Sequence, residues 1–190
     1  MKKAFYKKRS TVSSNMKTTS KTNTTVNTLN TPYLVIVESP SKCLKIENFL
    51  GFQYKCIASK GHLREIQKVH PAKKDYMIDF QYVKEKIGHI QWMKSIIKQF
   101  LPQHIFLGTD DDREGEAIAW HCANTLKVNL NENNRIIFRE ISKKAILKAL
   151  EKPIKVNINE VNAQQTRRII DRLIGFKLSP CLWKHIQTKE

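Results

Sequence analysis

Residues 33–37, Tyr-Leu-Val-Ile-Val, are an unbroken apolar, largely β-branched run only five residues long. Such a run is too short for a buried helix, and it lacks the polar alternation of a half-exposed strand. It suits a strand covered on both faces, as in a parallel sheet between helices. Three more segments read as strands: 54–59, 104–108 and 135–138. Helical patterns separate or follow them. One lies between Ser39 and Gly51. A second spans 83–100 and stops before Pro102, and a third spans 116–126. A fourth spans 142–150, opened by Ser142 as N-cap, and a fifth spans 159–174. Residues 60–65 read as a loop. The alternation predicts an α/β fold, with a central, mostly parallel sheet covered by helices on both faces.

Charge is distributed unevenly along the chain. The 190 residues carry 34 Lys and Arg against 17 Asp and Glu. Seven of the basic residues and none of the acids lie in 1–31, which leaves 27 − 17 = +10 for the rest. That first segment is almost entirely Ser, Thr, Asn and Lys from residue 10 onward. It is too polar to offset its ordering entropy, so it reads as a disordered tail. Its composition loosely resembles an organelle transit peptide, but its lysine content and weak amphipathicity favour a plain tail. A body this basic suits a polyanionic partner such as nucleic acid, and equally a merely solvated surface. No run approaches the ~18 apolar residues of a membrane span. Cys43, Cys56, Cys122 and Cys181 stand apart with no C-x-x-C pair, and read as single buried thiols of a reducing compartment.

Against this basic background, residues 110–116 hold five carboxylates: Asp110, Asp111, Asp112, Glu114 and Glu116. Two predicted strands run into acid at their carboxyl ends, one at Glu38 and one at Asp110. In parallel α/β sheets that edge forms the usual ligand crevice. Carboxylates so close raise one another's pKa unless a cation joins them. Oxygen ligands of this kind suit Mg²⁺, which takes one or two carboxylates and keeps several waters. The same spacing also suits a helix N-terminus decorated with acid, where Asp and Glu favour the macrodipole. The glycine and glutamate spacing disfavours an EF-hand.

The stretches 35–42 (VIVESPSK) and 109–121 (TDDDREGEAIAWH) together resemble the Toprim domain, whose signature is a strand-end Glu followed by D-x-D-x-E. Segments 59–66 (SKGHLREI), 135–142 (RIIFREIS) and 161–183 (VNAQQTRRIIDRLIGFKLSPCLW) extend the likeness, in order, to type IA DNA topoisomerases of the bacterial topoisomerase I type. The resemblance covers about 33–187. It implies a Toprim domain at 32–151, followed at 152–190 by the first helices of a mainly helical DNA-binding domain. It also implies an intracellular, DNA-associated enzyme that cuts and rejoins single-stranded DNA to relax negative supercoils.

By the same resemblance, Glu38 and Lys42 are catalytic, Glu38 as general acid–base and Lys42 as a stabiliser of charge on the phosphate. Glu38, Asp110, Asp112 and Glu114 are implied to hold Mg²⁺, with Asp111 a bystander. His62, Arg113, Arg167, Arg168, Asp171, Phe176 and Trp183 are implied to contact DNA. Arginine suits phosphate through its planar fork, and exposed aromatics can stack on bases. None of Tyr6, Tyr33, Tyr54, Tyr76 or Tyr82 stands in the family's nucleophile motif. The expectation is therefore an N-terminal fragment, inactive alone, whose partners are single-stranded or negatively supercoiled DNA and the tyrosine-bearing remainder in cis or in trans. The alternative is a free-standing Toprim module that binds Mg²⁺ and nucleic acid without topoisomerase activity.

Overall fold

The computed structural model describes residues 33–71 and 76–186. The segment read as a disordered tail lies outside the described residues. Along the chain run β1 (Tyr33–Val37), α1 (Pro40–Leu50), β2 (Tyr54–Ala58), β3 (Arg64–Pro71), β4 (Tyr76–Tyr82), α2 (Ile87–Ile97), β5 (Ile105–Thr109), α3 (Arg113–Leu126), β6 (Arg135–Ile137), α4 (Lys143–Glu151) and α5 (Ile158–Ile186). Four strands form one sheet in the order β2-β1-β5-β6, and every neighbouring pair is parallel. The expected fold class is therefore the one observed.

Strand β1 explains why both faces need cover. Its side chains alternate, so Leu34 and Ile36 enter one core while Val35 and Val37 enter the other. The first core packs β1, β2 and β5 against α2, α3 and the start of α5, through Ile57, Leu107, Met93, Ile118 and Val161. The second packs the opposite face against α1 and α4, through Cys56, Ile136, Ile46 and Ile146. Burying each such Leu, Ile or Val contributes roughly 1.5–3 kcal/mol relative to exposure. A helix layer missing from either side would forfeit several of these contributions at once.

Three helix starts follow local rules. Pro40 occupies the first turn of α1, where its missing N–H costs nothing. Asp112 caps α3 by accepting from the Gly115 amide at 2.6 Å. Ser142 caps α4 as expected, its Oγ accepting from the Ala145 amide at 3.2 Å.

The structure departs from the sequence reading in four places. Residues 64–71 and 76–82, largely unassigned, pair as the antiparallel β3–β4 hairpin, which stands outside the main sheet and has a register shift between Ile66 and Lys68. Its few apolar positions are interleaved with charge, which hides a strand whose partner lies across a turn. The helix expected over 83–100 begins with a tight 3₁₀ turn at Lys84–Lys86 and is α-helical only from Ile87 to Ile97. Helix α5 runs past Gly175 and through Pro180, well beyond the expected end at 174. Along it Val161, Gln164 and Ile169 are buried, whereas Ala163, Ile170 and Ile174 are exposed. Finally, Cys181 is exposed on α5 rather than buried.

Candidate active site

Strands β1 and β5 are neighbours in register, Val37 beside Gly108, so Glu38 and Asp110 leave the sheet at the same carboxyl edge. Two residues 72 positions apart thereby become neighbours. Glu38 is half-buried, and its backbone carbonyl accepts from the amides of Lys60 (2.8 Å) and Gly61 (3.3 Å). Those bonds draw the loop after β2 over the site. Lys60 and Gly61 both have positive φ, a left-handed turn that suits the glycine. The turn delivers His62 to the acid cluster.

Each acid has a distinct partner. Lys42, in the first turn of α1, donates from Nζ to Asp110 Oδ1 at 2.6 Å. Asp111 accepts from Arg139 Nε at 2.7 Å. Asp112 holds the Gly115 amide, so the helix-capping alternative is realised for that residue. Glu114 is hydrogen-bonded both to His62 Nε2 and to Gln164 Nε2, which ties the first turn of α3 to the β2–β3 loop and to α5. Glu116 points inward to Arg135.

The electrostatics follow from this crowding. Burial pushes the Glu38 carboxyl above its usual value, and the charges of Asp110, Asp112 and Glu114 push the same way against the lowering effect of Lys42. Burial lowers His62; its hydrogen bond to Glu114 opposes the shift, and Arg168 and Lys86 reinforce it. Behind it lies His121, 1% exposed and pushed down to about 3 by burial and by the positive charges of His62, Arg64 and Arg168.

The DNA-side candidates divide into two groups. Arg168 lies near enough to His62 and His121 for its charge to act on both, so α5 brings it to the site. Arg113 is exposed on the first turn of α3 and lines a recess of about 410 Å³ with Asp112, Glu116 and Asn157. Arg167 and Asp171 form an exposed i,i+4 pair at 3.8 Å. Phe176 and Trp183 are exposed, at 70% and 68%. Trp183 lies 19 residues beyond Gln164, or roughly 28 Å along a straight helix. The structure does not bring Trp183 to the acid cluster.

Several residues of the site escaped the sequence reading. Arg135 is fully buried and donates from Nε to Glu116 Oε2 at 3.0 Å, from Nη1 to the Thr109 carbonyl at 2.9 Å and from Nη2 to the Asp110 carbonyl at 2.9 Å. Glu116 in turn accepts from the Asn157 amide at 2.5 Å, just before α5. Gln164 and Arg139 are the other omissions. A signal existed for Arg135, because a charged residue opening a buried strand requires a carboxylate partner.

A Mg²⁺ ion suits the donor set in kind. Every candidate ligand is a carboxylate, and the mutual elevation of Glu38 by its neighbours is the repulsion that a divalent cation relieves. Among the described residues, however, no three His, Cys, Asp or Glu side chains close around one point. Asp110, Asp112 and Glu114 face protein donors instead.

Comparison with known proteins agrees with this geometry. The Toprim domain model matches residues 33–141. DNA topoisomerase 1 of Campylobacter jejuni is 44% identical over 158 residues, which are 81% of this chain and 22% of that protein. The structure of full-length topoisomerase I from Thermotoga maritima superposes with a TM-score of 0.70 at 37% identity, covering 79% of this chain and 26% of that one. The chain thus spans about a quarter of the length of these relatives. With its Toprim match over more than half its length, a parallel sheet ending in Glu38 and Asp110, and these two likenesses, the chain belongs to the Toprim family, in the branch of the type IA DNA topoisomerases.

Proposed function

We propose that this chain supplies the acid–base and metal-binding half of a type IA topoisomerase reaction, in which single-stranded DNA is cut and rejoined to relax negative supercoils. One observation carries the reading. Glu38, Lys42 and Asp110 meet at the carboxyl edge of adjacent parallel strands, and Glu114 links that edge to α5 through Gln164. Residues 32–151 are read as the Toprim domain and 152–190 as the start of a helical DNA-binding domain. The nucleophilic tyrosine belongs to sequence outside these residues, acting in cis or in trans.

The geometry supports these roles. Glu38, whose carboxyl is raised by burial and by the neighbouring acids, is the general acid–base that serves the leaving 3′ oxygen, a contribution on the order of 10²–10⁴-fold in rate. Lys42, paired with Asp110, places a cation where phosphate charge develops. Asp110 and Asp112, with Glu38 and Glu114 beside them, would hold Mg²⁺, which would supply the positive charge that lets a phosphate approach these acids. Arg168, Arg167 and His62 hold the DNA backbone, with Arg113, Asp171, Phe176 and Trp183 along the same path. The +10 net charge of 32–190 favours such a polyanion at low salt.

The test is plasmid relaxation with three preparations: the chain alone, the chain with a tyrosine-bearing partner, and Glu38→Ala with that partner. Relaxation is expected only in the second. Mg²⁺-dependent relaxation by the chain alone would overturn the division of labour, and unimpaired relaxation by Glu38→Ala would overturn the role of that residue. In parallel, Mg²⁺ should raise the melting temperature of the wild type more than that of Asp110→Asn/Asp112→Asn.

A further inference from the structure

Asp111 stands between the two acids of the proposed metal site and takes no part in it. Its carboxylate turns instead to Arg139, on the segment that joins β6 to α4, and Arg139 Nε donates to Asp111 Oδ2 at 2.7 Å. The pair borders a recess of about 440 Å³, which Lys42, Asp110, Phe138 and Ile141 also line. A recess of this size suits a group as large as a nucleotide. It opens beside the Lys42–Asp110 pair, where the proposed reaction is placed.

The two cations of the recess differ. The Lys42 side chain is 18% exposed and committed to Asp110 at 2.6 Å, whereas the Arg139 side chain is 85% exposed. Among the described residues Asp111 is the one hydrogen-bond partner of Arg139, and it engages Nε alone, which leaves Nη1 and Nη2 without a protein acceptor. Glu140, the next residue, does not compete, because its Oε1 accepts from the Ser142 hydroxyl at 2.7 Å. An ion pair this exposed contributes little to stability, so the guanidinium can leave Asp111 at small cost. A phosphate offers two oxygens to the planar fork at once.

We propose that Arg139 is a further substrate-binding residue of this site, which gives up Asp111 to clasp a backbone phosphate of single-stranded DNA beside the one that meets Glu38 and Asp110. The inference rests on the reading of the chain as half of a topoisomerase, and adds to it a contact outside the motif residues. Asp111 holds the fork at the recess until the strand displaces it. The contact is with backbone because Phe138, the aromatic residue of the recess, is only 3% exposed and offers no face on which a base could stack. Such a contact positions the strand without reading its sequence.

The experiment follows binding of the full chain to labelled single strands of thymidine and of deoxyadenosine, by fluorescence anisotropy over a series of potassium chloride concentrations. Arg139→Ala by itself would also uncover the charge of Asp111, so the comparison is made within Asp111→Asn. There, adding Arg139→Ala should weaken binding to both strands roughly threefold to tenfold. It should also lower the slope of log K against log salt by about 0.7, the share of one phosphate contact. Adding Arg139→Lys should keep the slope and recover only part of the affinity, because the charge stays and the fork is lost. The control is Lys98→Ala, at an exposed position after α2 and before the amino end of β5, which should change neither quantity. If salt-dependent binding persists and Arg139→Ala changes it no more than Lys98→Ala does, the role of Arg139 alone is overturned. Weakening confined to one of the two strands would overturn the assignment to phosphate. Absence of salt-dependent binding in every preparation would overturn this inference together with the reading on which it rests.

Discussion

Arg135, fully buried at the start of β6, meets Glu116 of α3 at 3.0 Å, and the same guanidinium holds the carbonyls of Thr109 and Asp110. The pair fixes the point where β5 ends and the acid cluster begins. Removing one partner leaves an uncompensated buried charge, which costs about 3–5 kcal/mol. Glu116→Leu should therefore destabilise the chain by that amount in urea denaturation. Arg135→Met/Glu116→Leu should cost less than the sum of the two single changes, because only the single variants strand a charge. Additive losses would show that the two groups do not act as a pair.

Gly115 stands where any side chain would strike backbone. A Cβ built there lies 2.3 Å from the Asp110 carbonyl oxygen, with the Asp110 nitrogen at 2.9 Å. The Gly115 amide and carbonyl are themselves engaged, by Asp112 at 2.6 Å and by the Thr109 hydroxyl at 2.6 Å. Gly115→Ala should push Asp110 off its position and cost about 1–3 kcal/mol through overpacking. Nuclear magnetic resonance should show displaced amide signals from 109 to 116. Unchanged spectra and stability would mean that the close approach is not maintained in solution.

His121 sets a pH dependence. Its pKa is depressed from 6.5 to about 3 in the folded chain, so the folded state excludes a proton that the unfolded state accepts. Its contribution is thus unfavourable to folding as pH falls from about 6.5 toward 3, at up to ~1.4 kcal/mol per pH unit. The imidazole touches His62, Phe80 and Trp120, with Arg64 and Arg168 nearby, and none of these groups offers it a negative charge. His121→Phe should flatten the stability curve across that window. The measurement is denaturant unfolding at steps between pH 7 and pH 4, and equal slopes in both proteins would refute the assignment.

Arg172 ties α5 to the hairpin. Its Nη1 donates to the Ile66 carbonyl at 2.5 Å and its Nη2 to the Gln67 carbonyl at 3.4 Å, at the register shift in β3. Arg172→Ala should leave those carbonyls without their protein donor and raise amide hydrogen exchange across β3 and β4. Exchange in β1 and β5 should stay as in the wild type. Uniform acceleration across the chain would indicate general destabilisation instead.

The short apolar strands, their helical connections and the acids at 38 and 110–114 were legible in the sequence because each is encoded locally. Five consecutive β-branched and apolar residues read as a buried strand without knowledge of any partner. The D-x-D-x-E spacing reads as a cluster because its members lie within one turn of helix and one strand end. The hairpin was not legible, because alternating charge along 64–82 describes a loop as well as it describes a strand paired across a turn.

What the sequence alone determined was therefore the class of fold, the edge of the sheet where the acids gather and the identity of those acids. Only the tertiary structure decided which partner each acid takes: Lys42 for Asp110, Arg139 for Asp111, His62 and Gln164 for Glu114, and Arg135 for Glu116. It also decided that Trp183 stands exposed on α5. The reason is physical. Strand and helix periodicity act over a few residues, whereas a salt bridge depends on strand order and register, which bring together residues far apart in the chain.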